Sequence, residues 1–346
     1  MDNYGKATEE KLQIKLNEML DDMPTFCKQF IISKNYSLAI RTRIAYAGDL
    51  NVFLQFVKHH LPEYGSVPIK ELPLKAISEL KSTDIETFLA YLDNYSIGDK
   101  HLSNKNLGKQ RKLAAVREMY RYLCKCEIIS SNPAAIIDTP KTKDKDIRAL
   151  TAEEKDAIFA ALLPSYEKDK SKYQLKKTLY NRDLAIVTLF LGTGIRLSEL
   201  VGLNLDDVNM KEHMIFTLAK GGKYLQHFFN DEVYDALDKY LTYTRPGLVS
   251  KNPGEQAVFL SRLGKRIDKR TVQMMVKNCS TEALGARKSI SPHKLRSTYG
   301  TDLYAYSGDI ALVSDNLGHR NISTTKQYYA KQNIENLRKN KDFKIH

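Results

Sequence analysis

The chain is 346 residues long, enough for about two domains with buried cores, and carries 54 Lys and Arg against 41 Asp and Glu, a formal net charge of +13. With 42% hydrophobic and 27% charged residues, it has the composition of a globular protein and is too apolar for general disorder. No stretch reaches the ~18 consecutive apolar residues of a helical membrane span, and the excess positive charge points to a polyanionic partner: DNA, RNA or an anionic membrane surface.

The N-terminal residues are polar and acidic and lack the apolar core of a signal peptide, so export is not expected and a cytoplasmic location is. Residues 1–24 predict a short helical arm halted near Pro24. From Ser37 a strong helical period begins: Ile40, Ile44, Ala47, Leu50, Leu54 and Val57 step by three and four along one face. A polar stretch with prolines follows, then STDIETFLAYLDNY reads as a helix capped by Ser82 or Thr83. Another helix begins after Ser103, with Leu113, Val116, Tyr120 and Leu123 on its apolar face. Between 101 and 126 there are seven Lys or Arg residues and one acidic residue, Glu118, so this face is basic. No strand pattern is evident, and residues 25–135 are expected to form an all-helical domain.

Residues 136–150 are charged, contain Pro140 and show no apolar period, which predicts a linker. Thr151-Ala-Glu-Glu154 is a capping box ahead of an apolar run and opens a second domain, expected over 151–335 with a tail over 336–346. Helices are predicted at 152–162 and 181–191. Residues 213–229 are β-rich on both sides of Gly221-Gly222 and predict a hairpin, and helical patterning returns near 231. The second domain is thus mainly α with a small antiparallel β-sheet. Four cysteines (Cys27, Cys124, Cys126, Cys279) are too few for a disulfide scaffold and read as reduced thiols.

Common nucleotide and metal motifs fail. Gly192-Thr-Gly194 lacks the third glycine of a dinucleotide loop, Gly222-Lys223 lacks the rest of a P-loop, and Cys124-Lys-Cys126 has no partner pair at zinc spacing. No cofactor and no metal site is expected, so catalysis would rest on side chains alone.

Four segments of the second domain offer such side chains. Arg196 lies in TGIRLSEL just past a Gly-Thr-Gly break. Lys220 sits at the hairpin turn. His293 and Arg296 are three apart in SPHKLRSTYG, which shares a face if helical. His319 in LGHRNISTTKQYYA precedes Tyr328 by nine residues. Each alone has a plainer reading: a solvated cation, a cap, a turn residue or one of 20 tyrosines. Together, two guanidiniums, an ammonium, two imidazoles and a phenol suit phosphoryl transfer. Arg forks grip phosphate oxygens and keep their charge. Fixed positive donors stabilise the developing charge. A phenol is a nucleophile once its proton is removed, and Lys or His can protonate a leaving oxygen.

Arg196, Lys220, His293-x-x-Arg296, Leu317-Gly318-His319 and Tyr328 resemble the active-site pattern of the tyrosine recombinase (phage integrase) family, with every position filled by the expected residue type. NPAAIIDTPK and ALTAEE also look like this family, and the opening KLNEMLDDMPTF with the polar insert at 61–76 resembles its Xer members. The resemblance implies a helical (SAM-like) core-binding domain followed by a catalytic domain. It implies that Tyr328 attacks the scissile phosphate, giving a 3′-phosphotyrosine and a free 5′-hydroxyl. Arg196 and Arg296 would clamp the non-bridging oxygens, and Lys220 would protonate the leaving oxygen. His293 would be acid and base near the tyrosine, His319 would hydrogen-bond the phosphate, and Glu199 would support Arg196. The two domains would clamp double-stranded DNA, with Arg41, Arg43, Lys109, Arg111 and Arg117 as candidate contacts. The family's assembly is a homotetramer on two paired sites, a dimer on each, with accessory proteins in some systems and a C-terminal tail docked on a neighbour. The implied role is Xer-type resolution of chromosome dimers. The integrase of a mobile element, a type IB topoisomerase and a non-catalytic DNA-binding protein are the alternatives.

Overall fold

The computed structural model describes residues 3–142, 149–164, 170–218, 224–288 and 290–318. The chain divides into two compact units, Met1–Asp144 and Lys145–His346. Among the described residues no helix is long and apolar enough to cross a membrane, and all four cysteines are free thiols.

Among the described residues the first unit is built on six α-helices: α1 (Asn3–Asp21), α2 (Thr25–Ser33), α3 (Ile40–His60), the short α4 (Lys75–Ser78), α5 (Ser82–Tyr91) and α6 (Asn106–Lys125). The apolar stripe of α3 is the centre of the unit: Ala47, Leu50, Leu54 and Val57 are fully buried, and Ile40 and Ile44 pack at its edge. Leu113, Val116, Tyr120 and Leu123 of α6 face it, also fully buried. An aromatic group of Phe53, Phe56, Phe88 and Tyr120 fills the middle with edge-on and tilted rings. The buried Tyr120 hydroxyl donates to the Ile77 carbonyl at 2.8 Å, so its polar end is satisfied.

Three expectations change in this unit. The expected arm belongs to the core, since Leu16 and Leu20 of α1 are buried in the same cluster. Neither Ser82 nor Thr83 caps α5. Lys81 stands at the cap position, Asp84 accepts its backbone N–H at 2.7 Å, and the Ser82 hydroxyl donates to the Pro133 carbonyl. The unit is also not all-helical: β1 (Tyr95–Ile97) and β2 (Lys100–Leu102) form an antiparallel hairpin, turning at Gly98 with φ of 55°. The stretch after α6 is strapped to it. Arg117 donates to the carbonyls of Ala134 and Ile137, Gln110 to Pro140 and Asn106 to Lys141, and Ile137 is buried.

The second unit holds α7 (Ala152–Leu162), α8 (Lys170–Thr193), α9 (Leu197–Gly202), α10 (Asp231–Lys239), α11 (Arg245–Val249), α12 (Lys269–Leu284), α13 (Pro292–Ser307) and α14 (Ile310–Asn316). A sheet of β3 (Val208–Asn209), β4 (Met214–Leu218) and β5 (Tyr224–Phe228) runs antiparallel in the order β3-β4-β5. The capping box forms: Thr151 Oγ1 accepts from Glu154 N–H, and Glu154 accepts from Thr151 N–H. Helix α8 is the spine, with Ala185, Ile186, Leu189 and Phe190 fully buried, and it begins earlier than the apolar pattern suggests. Strand β3, two residues long, carries no period and extends the predicted hairpin to three strands. The last described pair of that hairpin is Leu218 with Tyr224, so the Gly221-Gly222 turn lies outside the described residues.

Candidate active site

The turn that delivers Arg196 is dictated locally. Helix α8 ends at Thr193, and Gly194 takes φ of 63° while its N–H bonds the Phe190 carbonyl. A side chain there would strike the Tyr299 ring, with a Cβ 2.3 Å from its Cδ1. The Gly-Thr-Gly break is therefore a helix stop. Two residues on, Arg196 stands at the cap position of α9. The far end of α9 is held by Arg266, which donates to the carbonyls of Val201 and Leu203.

Glu199, one turn into α9, is buried and does two things. One oxygen accepts the Arg196 backbone N–H at 2.8 Å and the other its Nη1 at 2.7 Å. The side chain of Arg196 is thereby fixed by a charge-assisted pair at a helix N-terminus, where a carboxylate is also favoured by the helix dipole. Its Nη2 donates to the carbonyls of Leu317 and Gly318 at 2.8 and 2.7 Å. Three of its five N–H groups are thus occupied among the described residues, leaving Nε and one Nη1 proton.

Arg296 comes to the same place from α13. It is buried, with Nη1 donating to the Gly194 carbonyl and Nη2 to the Leu317 carbonyl. The Leu317 carbonyl therefore receives both guanidiniums. Gly318, next in the chain, has φ of 55°, and a Cβ on it would lie 2.5 Å from Leu225 Cδ1 and 3.4 Å from Arg196 Nη1. The positive φ favours glycine here, and a larger residue would also have to displace the Leu225 methyl.

His293 is the second residue of α13, one turn before Arg296, so the predicted shared helix forms. His293 is exposed at the surface, and partial desolvation of its ring first and the Arg296 charge second push its pKa below the ordinary histidine value. A neutral imidazole able to accept a proton is the favoured form near pH 7. Lys220, His319 and Tyr328 lie outside the described residues. Arg196, Glu199, His293 and Arg296 are the expected residues that can be located, and Glu199, Arg196 and Arg296 are linked through direct bonds.

The sequence reading did not single out the carbonyls of Gly194, Leu317 and Gly318, nor His227. His227 on β5 is 1% exposed, its Nε2 is 3.0 Å from Thr217 Oγ1, and its Nδ1 has no partner among the described residues. Burial is the first cause that lowers its pKa. Glu199 opposes the shift, and Arg296 and Arg196 reinforce it. The strand period was the available signal, since Ile215, Thr217, Leu225 and His227 all fall on the core-facing side.

The five candidate DNA contacts in the first unit differ in how free they are. Arg41 is exposed on the first turn of α3. Arg43 is buried, and its Nε has no partner among the described residues. Lys109 pairs with Asp93 at 2.7 Å. Arg111 is half-exposed, and the buried Asp49 holds it at 2.9 Å. The Arg117 guanidinium is occupied by the Ala134 and Ile137 carbonyls. The basic face of α6 is accordingly smaller than the sequence suggests, because Lys112 is also buried against Asn104 and Asp49.

Residues 148–335 match the model of the phage integrase family. The chain is 33% identical over 315 residues to a tyrosine recombinase XerC of Caldanaerobacter subterraneus, covering 88% of this chain and 82% of that protein. It is 30% identical over 291 residues to a tyrosine recombinase XerD of Oceanobacillus iheyensis, covering 84% and 88%. Its fold is similar to that of the XerH site-specific recombinase solved with a palindromic difH substrate after cleavage, with a TM-score of 0.64 at 18% identity, covering 91% and 96%. The family model spans more than half the chain and includes the whole Arg196–Arg296 cluster: the chain belongs to the phage integrase family.

Proposed function

We propose that this protein is a Xer-type site-specific tyrosine recombinase that cuts and rejoins double-stranded DNA through a 3′-phosphotyrosine and resolves chromosome dimers in the cytoplasm. The observation that carries the reading is the convergence of Arg196 and Arg296 on the Leu317 carbonyl, directly ahead of Gly318-His319. Two permanent cations fixed on one acceptor form a prebuilt seat for a phosphodiester, and the remaining Arg196 N–H groups would reach its non-bridging oxygens.

In this reading the Tyr328 oxygen attacks phosphorus in line with the 5′-oxygen. The P–O5′ bond breaks as the P–O(Tyr) bond forms, and Lys220 supplies the proton that the 5′-oxygen takes up. His293, held largely neutral, accepts the tyrosine proton and returns it in the reverse step. His319 adds a hydrogen bond to the phosphate. Glu199 keeps Arg196 aimed through both its backbone and its Nη1. The phosphotyrosine conserves the energy of the broken bond, so a 5′-hydroxyl from a partner duplex restores the phosphodiester without a nucleoside triphosphate. Arg41 and Arg111 are the best placed of the five basic candidates to meet phosphates. They would fix the duplex without reading its sequence. A dimer on each site and a tetramer on two paired sites complete the proposed assembly.

The test is capture of the DNA itself. Nicked fragments of the source genome are incubated with the protein and denatured, and the DNA that stays attached is sequenced. Adducts at one chromosomal site support dimer resolution. Adducts at the ends of a mobile element make the protein that element's integrase and overturn the chromosomal role.

A further inference from the structure

His227 is a buried titratable group that the proposed chemistry leaves unused. It lies on the inner side of the sheet, two residues after Leu225, the side chain that meets Gly318. On one side the Thr217 hydroxyl is 3.0 Å from Nε2. On the other, the backbone of Thr193, at the end of α8, favours a proton on the ring, although no hydrogen bond to Nδ1 is completed in this structure. Thr193 begins the turn whose Gly194 carbonyl receives Arg296 and whose end carries Arg196. The charges bearing on the ring are those of Glu199 and Arg196 from α9 and Arg296 from α13. A buried imidazole with one partner costs stability relative to an apolar side chain, so its presence behind this turn calls for a reason.

We infer that His227 is a positioning residue for DNA cleavage: the neutral ring, braced by the Thr217 hydroxyl, supports the Thr193–Arg196 turn and so sets the aim of both guanidiniums. In this arrangement Nε2 accepts from the Thr217 hydroxyl, which leaves the proton on the buried Nδ1, available to the Thr193 carbonyl at the end of α8. A charged ring at this place would repel both arginines and draw Glu199 from Arg196, so the dry setting that keeps the ring neutral is part of the function. His227 touches no reacting atom. Its effect is on the transition state through the arginines, with little effect on DNA affinity, which many distant phosphate contacts supply.

This inference rests on the recombinase reading, and the experiment separates the two. The probe is nicked, sheared DNA of the source genome, and the readout is the initial rate of denaturation-resistant adduct against DNA concentration. His227→Leu is expected to lower the saturating rate about tenfold while the half-saturating DNA concentration changes less than about twofold. His227→Gln, which keeps a donor and an acceptor, is expected to recover the rate to within about threefold of the parent. Thr217→Val, which removes only the brace, is expected to lower the saturating rate about threefold or more, and it serves if His227→Leu does not fold by circular dichroism. A parent-like saturating rate in folded His227→Leu or in Thr217→Val overturns the inference and leaves the recombinase reading intact. Equal losses in His227→Leu and His227→Gln also overturn it, since shape alone would then be at stake. An unsubstituted protein that forms no adduct overturns the recombinase reading, and the inference falls with it.

Discussion

Replacing Glu199 separates the support of Arg196 from its chemistry. The carboxylate is 4% exposed and holds two hydrogen bonds, from the Arg196 backbone N–H at 2.8 Å and from its Nη1 at 2.7 Å. Hydrogen bonds to a charged group contribute about 1.5–3 kcal/mol each, and breaking a buried ion pair costs about 3–5 kcal/mol. The Arg196 side chain is 31% exposed, so water rescues part of its charge and the figure must be lowered. Glu199→Ala is therefore expected to destabilise the protein by about 2–4 kcal/mol, and Glu199→Gln, which keeps one acceptor, by about 1–2 kcal/mol. Urea unfolding followed by circular dichroism reads this as a shift in midpoint. The surface pair Lys155–Asp302, at 3.1 Å, is the control, with Lys155→Ala expected within about 0.5 kcal/mol of the parent. A Glu199→Ala midpoint no lower than that of Lys155→Ala would refute the claim that this pair builds the site.

Gly318→Ala should lower adduct formation more than about tenfold, because its methyl group would displace Leu225 beside Arg196 and would sit on a backbone with positive φ. The rate of adduct formation checks this, and near-parental activity would remove the argument for a close fit. The pKa values of His227 and His293 are both below the ordinary value of 6.5 in the folded chain. The unfolded chain then binds more protons in acid, so stability from these groups is present above pH 6.5 and is lost as pH falls through their folded values. Urea midpoints from pH 8 to pH 5 should fall on the acid side, and His227→Gln should flatten part of that fall. Arg111→Ala should weaken DNA binding and shallow its salt dependence by about one counterion. Arg117→Ala should instead lower the unfolding midpoint, since its guanidinium holds the Ala134 and Ile137 carbonyls. A salt titration of DNA binding on both variants tests the contrast, and equal slopes would contradict it.

The helical faces were legible because burial imposes a period. The run Ala47, Leu50, Leu54 and Val57 names the buried side of α3 directly, and Thr151 with Glu154 announces the start of α7. Arg196 and Arg296 stood out in the sequence by motif spacing, and their common acceptor did not. A backbone carbonyl has no residue type, so nothing in the sequence shows that Leu317 would receive both Arg196 and Arg296. Strands β1 and β3 are three and two residues long, too short for alternation to register. At α5 the serine that looks like a cap is drawn away by the Pro133 carbonyl, a partner 51 residues distant, which local sequence cannot reveal. The charge of α6 misleads for a related reason: Lys112 and Arg117 are spent on neighbours within the fold, so a count of cations overstates what a polyanion can meet.

The central claim is that the phosphate seated by Arg196 and Arg296 is transferred to Tyr328. The most direct measurement is to digest the denatured protein–DNA adduct with protease and nuclease and locate the nucleotide-bearing residue by mass spectrometry, with Tyr328→Phe and Tyr329→Phe in parallel. The account predicts a nucleotide 3′-phosphate on Tyr328, no adduct from Tyr328→Phe, and adduct retained in Tyr329→Phe. An adduct on another residue, or one that persists in Tyr328→Phe, would contradict it.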